Sequence, residues 1–313
     1  MTAKSSPIKV SVLVPTLHRH QILVETLEGV LRQNYSPMEI LVYDQSPGHP
    51  PEVAKFLRSV SDRIRLERGP QEGLVKAYRR CVELSKGDVC LFLDDDVLIR
   101  DQGLVAGHAR HYPHPDVGAV VGQILHQGQS RSRPPDARLA SRYGWRHARF
   151  DLDRTVEDMP TVAAANLSFL RSCYEQVGGF DPRFSGNGFR FETDFSFALR
   201  DAGKRILFDP ALSLVHRYGS PGGAENRHLT SISETSFAWH LDYFTNTWYF
   251  LLKWYSFPRA VRLMVPFWRE QALNRALVRV APRSVLSRHR ALARGILRGL
   301  RSWNDWRRER NRP

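Results

Sequence analysis

Residues 8–14, IKVSVLV, form an apolar, β-branched run that stops at Pro15, which predicts a buried first strand. Ile22, Leu23, Leu27, Val30 and Leu31 then recur at helical spacing. Residues 39–43 (EILVY) predict a second strand ending at Asp44, and Val53, Phe56, Leu57 and Val60 a second helix. Ile64–Leu66 predicts a short third strand. Leu74, Ala77, Cys81 and Leu84 mark a third helix stopped by Gly87, and Val89–Leu93 a fourth strand running straight into Asp94, Asp95 and Asp96. Strand and helix alternating at this interval predict an α/β protein with a mostly parallel sheet and helices on both faces. In such sheets ligands bind beyond the carboxyl ends of the strands. Thr16, Asp44 and the aspartate triplet all fall there.

Farther along, residues 117–124 (VGAVVGQI) predict another strand, and SRSRPPD, within the polar stretch 126–160, an exposed loop. Strand character returns at Thr161–Phe169. Phe195, Ala198 and Leu199 predict a helix ending near Gly203, and residues 205–208 and 212–215 two strands before His216. After about residue 230 the pattern turns helical, aromatic and basic. The expected division is therefore an α/β domain over 1–230 and a helical, basic-aromatic C-terminal extension over 231–313.

Composition adds three points. With 42% hydrophobic residues in 313, a large core is available. The net charge of +14, with Arg crowded into the last third, implies a polyanionic partner (nucleic acid, acidic lipid or phosphorylated substrate) or simply a soluble surface. Cys81, Cys90 and Cys173 show neither a CxxC pair nor a His partner at metal spacing, so they read as small buried apolar residues in a reducing compartment. The sequence opens on MTAKSSPIKV, without the apolar run of a signal peptide, and no stretch approaches the ~20 apolar residues of a membrane span. The expectation is a cytoplasmic protein, free or lying on the inner face of the membrane.

The triplet Asp94–Asp96 is the sharpest local signal. Adjacent carboxylates repel unless something positive joins them. In an extended segment Asp94 and Asp96 would point the same way and share one hard divalent cation; the alternative is a solvated acidic turn. Asp44 is either an Asx-turn residue or an acceptor for a base or ribose. Glu192 and Asp194 open a helix, where carboxylates ordinarily complement the dipole but can also serve as a general base. His216 is either a satisfied edge histidine or a third metal ligand.

Together these segments resemble glycosyltransferase family 2, the inverting enzymes of GT-A fold. SVLVPTLHR is similar to the family's first strand and turn, and VYDQS to its VDDGS element. GLVKAYRRCVELSKGD is similar to its GLSxARNxGIxxAxGE segment, FLDDDV to its DxD motif, VGGFDPRF to VGGFDExF, and FETDFSFALRDAG to EDxDLxLRLRxAG. The likeness spans roughly residues 8–218, in family order. Tyr78 and Arg79 depart from the usual Arg-Asn, Gln45 from Gly, and Glu192 from Asp.

The resemblance implies a GT-A, Rossmann-like domain that moves a sugar from a nucleotide-sugar donor to the hydroxyl of a glycan, polysaccharide or lipid-linked acceptor. A UDP-sugar is favoured, with GDP- and dTDP-sugars as alternatives. It implies Mn²⁺ or Mg²⁺ at Asp94, Asp96 and His216, and a base at Glu192 with Asp194 as its rival. Donor contacts are implied at Pro15, Thr16, Asp44, Gly73, Arg79, Asp94, Asp95 and Asn166. The tail mixes Trp, Tyr and Phe with Lys and Arg, which suits an anionic membrane surface; the alternatives are packing on the catalytic domain or homodimer formation. The competing class is a nucleotide- or nucleic-acid-binding protein using the basic tail, which leaves the triplet unexplained, so no nucleic-acid partner is expected. A nucleotidyltransferase would want a glycine-rich loop after the first strand, and PTLHRHQ has no glycine.

Overall fold

Strand β1 (Val10–Thr16) is buried at every position, because it lies between two parallel neighbours in a sheet covered on both faces. The computed structural model describes residues 7–131, 149–217, 237–273 and 275–310. These fall into two compact units, one of residues 1–72, 76–180 and 192–223, the other of 73–75, 181–191 and 224–313.

The first unit holds an eight-stranded sheet. Around β1 it is built from α1 (Gln21–Leu31), β2 (Met38–Asp44), α2 (Pro51–Ser59), β3 (Arg65–Arg68), α3 (Leu74–Leu84), whose first two residues cluster with the second unit, and β4 (Val89–Leu93). Then come β5 (Val97–Leu98), α4 (Leu104–Ala109), β6 (Val117–His126), β7 (Asn166–Leu170), α5 (Arg171–Gln176), α6 (Phe191–Asp201) and β8 (Arg205–His216). The strand order is β3-β2-β1-β4-β7-β6-β8-β5. The expected helix–strand alternation holds through β4. The sheet is mixed, however: β7 runs antiparallel to both β4 and β6, and β5 antiparallel to β8. Strand character begins at Asn166 rather than Thr161, and the two short strands expected at 205–208 and 212–215 are one strand, β8.

Alternate residues of β4 face two different cores. Leu91 and Leu93 join Leu23, Leu27 and Val30 of α1. Phe92 turns to an aromatic cluster in which Phe180 sits 6.0 Å from Phe92, 5.8 Å from Phe169 and 4.9 Å from Phe195, centroid to centroid. Cys81, Cys90 and Cys173 are buried free thiols, as expected. The β6–β8 register shifts after Gly122. A Cβ there would meet Leu212 O at 2.3 Å and the Asn166 amide at 2.1 Å, so only glycine fits.

Under that shift lies a buried polar network. His108 Nε2 donates to Asn166 Oδ1 (3.0 Å), because the Asn166 amide nitrogen is committed to the carbonyls of Leu212 (2.8 Å) and Gln123 (3.2 Å). His108 Nδ1 therefore accepts from Ser168 Oγ (2.7 Å), which in turn accepts from Tyr112 (2.7 Å).

In the second unit, α7 (Phe237–Trp254) is buried on nearly all sides and α8 (Phe257–Ala272) carries Pro266 inside it. After α9 (Arg275–Val280), α10 (Pro282–Arg310) packs along α7 through Ala291, Gly295 and Gly299. A Cβ on Gly295 would lie 2.9 Å from Phe244 Cβ, and one on Gly299 2.9 Å from Thr245 O. Asp181 anchors its own segment here, accepting from Tyr249 (2.6 Å), Lys253 (2.9 Å) and Arg183 (3.0 Å). Burial opposes its ionisation, but Lys253 and these hydrogen bonds prevail and hold the carboxyl below its ordinary range. No helix among the described residues is long and apolar enough to cross a membrane.

Burial drops the His108 imidazole to about 4. The unfolded chain then binds the proton more readily between pH 6.5 and 4, so stability is lost as pH falls through that window. The loss should reach roughly 3 kcal/mol. His108→Gln should melt lower than wild type at neutral pH, yet show a flatter dependence of melting temperature on pH below 6.5. Equal slopes for the two proteins would refute a buried neutral imidazole.

Candidate functional site

The carboxyl ends of β2, β1 and β4 lie side by side. Thr16 and Asp44 are register partners, and the triplet follows β4 directly. Asp94–Asp96 is not extended as expected. Asp95 and Asp96 form a turn into β5. Asp94 and Asp96 nonetheless converge, because β5 pairs with the end of β8 and sets Val97 opposite His216. One donor atom each from Asp94, Asp96 and His216 lie within 4.8 Å of one another. His216 Nε2 is 3.0 Å from Asp96 Oδ1 and 3.5 Å from Asp94 Oδ2.

Two residues that lie within the quoted segments but were assigned no role there complete this corner. Arg19, in the turn after β1, donates through Nε to Asp95 (3.2 Å) and through Nη2 to Asp96 (2.8 Å). Tyr78 on α3 donates to Asp94 Oδ1 (2.8 Å). Burial raises the proton affinity of Asp94; His216 opposes the shift and Asp96 adds to it. Burial likewise lifts Asp95 to about 7 against the charge of Arg19. Burial would lower His216, but its hydrogen bond to Asp96 and the charge of Asp94 outweigh that and raise it. Burial pushes the Tyr78 phenol well up, helped by the charges of Asp94 and Glu192, so Glu192 lies within electrostatic reach of this corner. Two carboxylates and an imidazole, crowded and desolvated, form a donor set that suits Mn²⁺ or Mg²⁺.

Asp44 is fully buried and its two oxygens have partners: Oδ1 accepts from Ser46 N (2.8 Å), closing an Asx turn, and Oδ2 pairs with His49 Nε2 (2.8 Å). His49 Nδ1 in turn lies 3.3 Å from His20 Nδ1. His49 lies in none of the motifs quoted above. Glu192, half-buried in the first turn of α6, accepts from Ala164 N (2.6 Å), while Asp194 is 2% exposed.

The other expected donor contacts divide. Pro15 and Thr16 close β1 at the site edge. Gly73 takes φ +97°, a left-handed conformation that favours glycine, and clusters with the second unit. Arg79 donates to the Phe180 carbonyl (2.6 Å), and Asn166 is spent on the His108 network. Asn166 is fully buried, whereas Arg79 is half-buried.

The sequence model described as "Glycosyl transferase family 2" matches residues 11–178. A glucosyl-dolichyl phosphate glucuronosyltransferase of Haloferax volcanii is 25% identical over 220 residues, which cover 67% of this chain and 69% of the relative. A PGL/p-HBAD biosynthesis glycosyltransferase of Mycobacterium tuberculosis is 24% identical over 220 residues, 69% of this chain and 78% of the relative. Among solved structures, a mannosyltransferase of Pyrobaculum calidifontis in complex with GDP-Man and Mn²⁺ superposes with a TM-score of 0.54 at 17% identity, covering 92% of this chain and 75% of that one. That likeness is one of fold, the GT-A fold expected from the motifs. With the family's sequence model covering more than half of the chain, the chain belongs to glycosyl transferase family 2 and is a glycosyltransferase.

Proposed function

We propose that the protein transfers a sugar, with inversion, from a nucleotide-sugar donor to a hydroxyl of a glycan or lipid-linked acceptor, using residues 1–230 as the catalytic region. The convergence of Asp94, Asp96 and His216 at the strand ends carries this reading. A Mn²⁺ or Mg²⁺ ion held there would neutralise charge on the departing nucleoside diphosphate. Tyr78 and Arg19 hold the carboxylates in place through their hydrogen bonds. Glu192, oriented by the Ala164 amide, takes the acceptor proton as the hydroxyl attacks the anomeric carbon. Asp44 shapes the nucleoside end of the site through the Ser46 turn and His49. A UDP-sugar is the preferred donor; GDP- and dTDP-sugars belong in the same thermal-shift panel, because a true donor raises the melting temperature by mass action.

Mn²⁺ should raise the melting temperature of the wild type and leave that of Asp96→Ala unmoved, and EDTA should abolish transfer. Full activity in excess EDTA would remove the metal from the reading.

Glu192→Gln keeps size and hydrogen bonding but cannot accept the proton. It should bind donor normally, melt within a few degrees of wild type, and lose about 10²–10⁴-fold in rate. Asp194→Asn, altering a buried carboxylate, should cost stability more than rate. The opposite pattern, an active Glu192→Gln beside a dead Asp194→Asn, would make Asp194 the base.

Asp44→Ala should raise donor KM more than it lowers kcat. It should also cost on the order of 1–3 kcal/mol of stability, because it strands the Ser46 amide and the buried His49 ring. An unchanged donor KM with an unchanged melting temperature would contradict both roles.

A further inference from the structure

The helix α10 presents two unlike faces. Ala291, Gly295 and Gly299 recur every three or four residues and are buried against α7. At 100° per residue, the opposite side carries Arg283, Leu286, Arg290, Arg294, Leu297 and Arg301, every one of them exposed. Leu286 is 57% and Leu297 60% exposed, the two largest exposures among the large hydrophobic residues described. From Pro282 to Arg301 there are six arginines and no acidic residue. At its N-terminal end the stripe borders a groove of about 320 Å³ lined by Phe237, Arg283, Leu286, Ser287, Arg290 and Arg294, with the Arg294 guanidinium 5.4 Å from the centre of the Phe237 ring.

We infer that this face of α10 docks on an anionic phospholipid membrane, with the arginines on lipid phosphates and Leu286 and Leu297 seated at the boundary between headgroups and acyl chains. The charge pattern selects the partner. Arginine binds phosphate through a planar fork of donors, and a row of four on one helix face matches a surface that is negative everywhere rather than at one point. The leucines separate lipid from nucleic acid. A phosphodiester backbone gives an exposed leucine nothing to bury against, whereas an interfacial helix gains from placing its apolar side chains below the headgroups. The groove beside Phe237 offers one headgroup a recess where aromatic and guanidinium groups meet, the pairing favoured at the lipid–water boundary.

The test is sedimentation of the full chain with vesicles of phosphatidylcholine alone or mixed with phosphatidylglycerol, at low salt. Wild type should bind only the mixed vesicles, and less as salt rises. Each arginine replaced by Gln should weaken binding about fivefold, and Arg283→Gln, Arg290→Gln and Arg294→Gln together on the order of a hundredfold. Leu286→Gln with Leu297→Gln should weaken vesicle binding and leave any binding to duplex DNA unchanged. All these positions are exposed, so the variants should keep the wild-type melting temperature and donor hydrolysis. Wild type that ignores the mixed vesicles at low salt overturns the inference. So does a leucine pair that binds them as wild type does while arginine loss abolishes DNA binding, which would make the stripe a nucleic-acid surface.

Discussion

Three consecutive carboxylates closing a buried strand repel one another, and the arrangement around them in the first unit answers that repulsion. Arg19 reaches back from the turn after β1 to hold Asp95 and Asp96, Tyr78 donates to Asp94 from α3, and His216 arrives between Asp94 and Asp96 at the end of β8. Each comes from a different part of the chain. None could be in place without the sheet order that puts β1 beside β4 and pairs β5 with the end of β8. The short β5 matters most here: two residues long, it turns the chain so that the triplet faces His216.

The parts of the fold that could be read from sequence were those where one residue pattern has one structural outcome. Unbroken β-branched runs such as IKVSVLV and VCLFL become central strands, and leucines at helical spacing become α1. Elsewhere one pattern allows several outcomes. Nothing in NLSFL states that β7 will run antiparallel, because side chains alternate in the same way in a strand of either direction. Asp95 and Asp96 sit in a turn, since β5 draws the chain away immediately after Asp96. Arg19 closes the SVLVPTLHR segment, but nothing in that pattern states that its side chain will reach the triplet. His49, five residues beyond Asp44, is recruited by a loop whose path no periodicity encodes. No pattern in the sequence states that Asn166 will bond His108 or that Arg79 will donate to the Phe180 carbonyl, since both partners lie far off along the chain. Asp94 and Asp96, read from the strand-end triplet, do come together with His216, because β4 ends and β8 closes at the same edge of the sheet.

The second unit follows a different rule. Its α7 is buried nearly all round, so its neighbours must come close, and small residues on α10 permit this where leucine would not. Asp181 is placed by the same unit's Tyr249 and Lys253, so a residue of the family-like segment VGGFDPRF is anchored on α7.

Gly295 and Gly299 also index α10. By seating against the backbone and side chains of α7 they fix the azimuth of every other residue on a helix 29 residues long. One residue inserted between Arg290 and Gly295 would turn the upstream stripe by about 100° relative to that seat. A change of seven, close to two whole turns, would leave it within about 20°. The length of this helix is therefore free to drift only in near-integral turns.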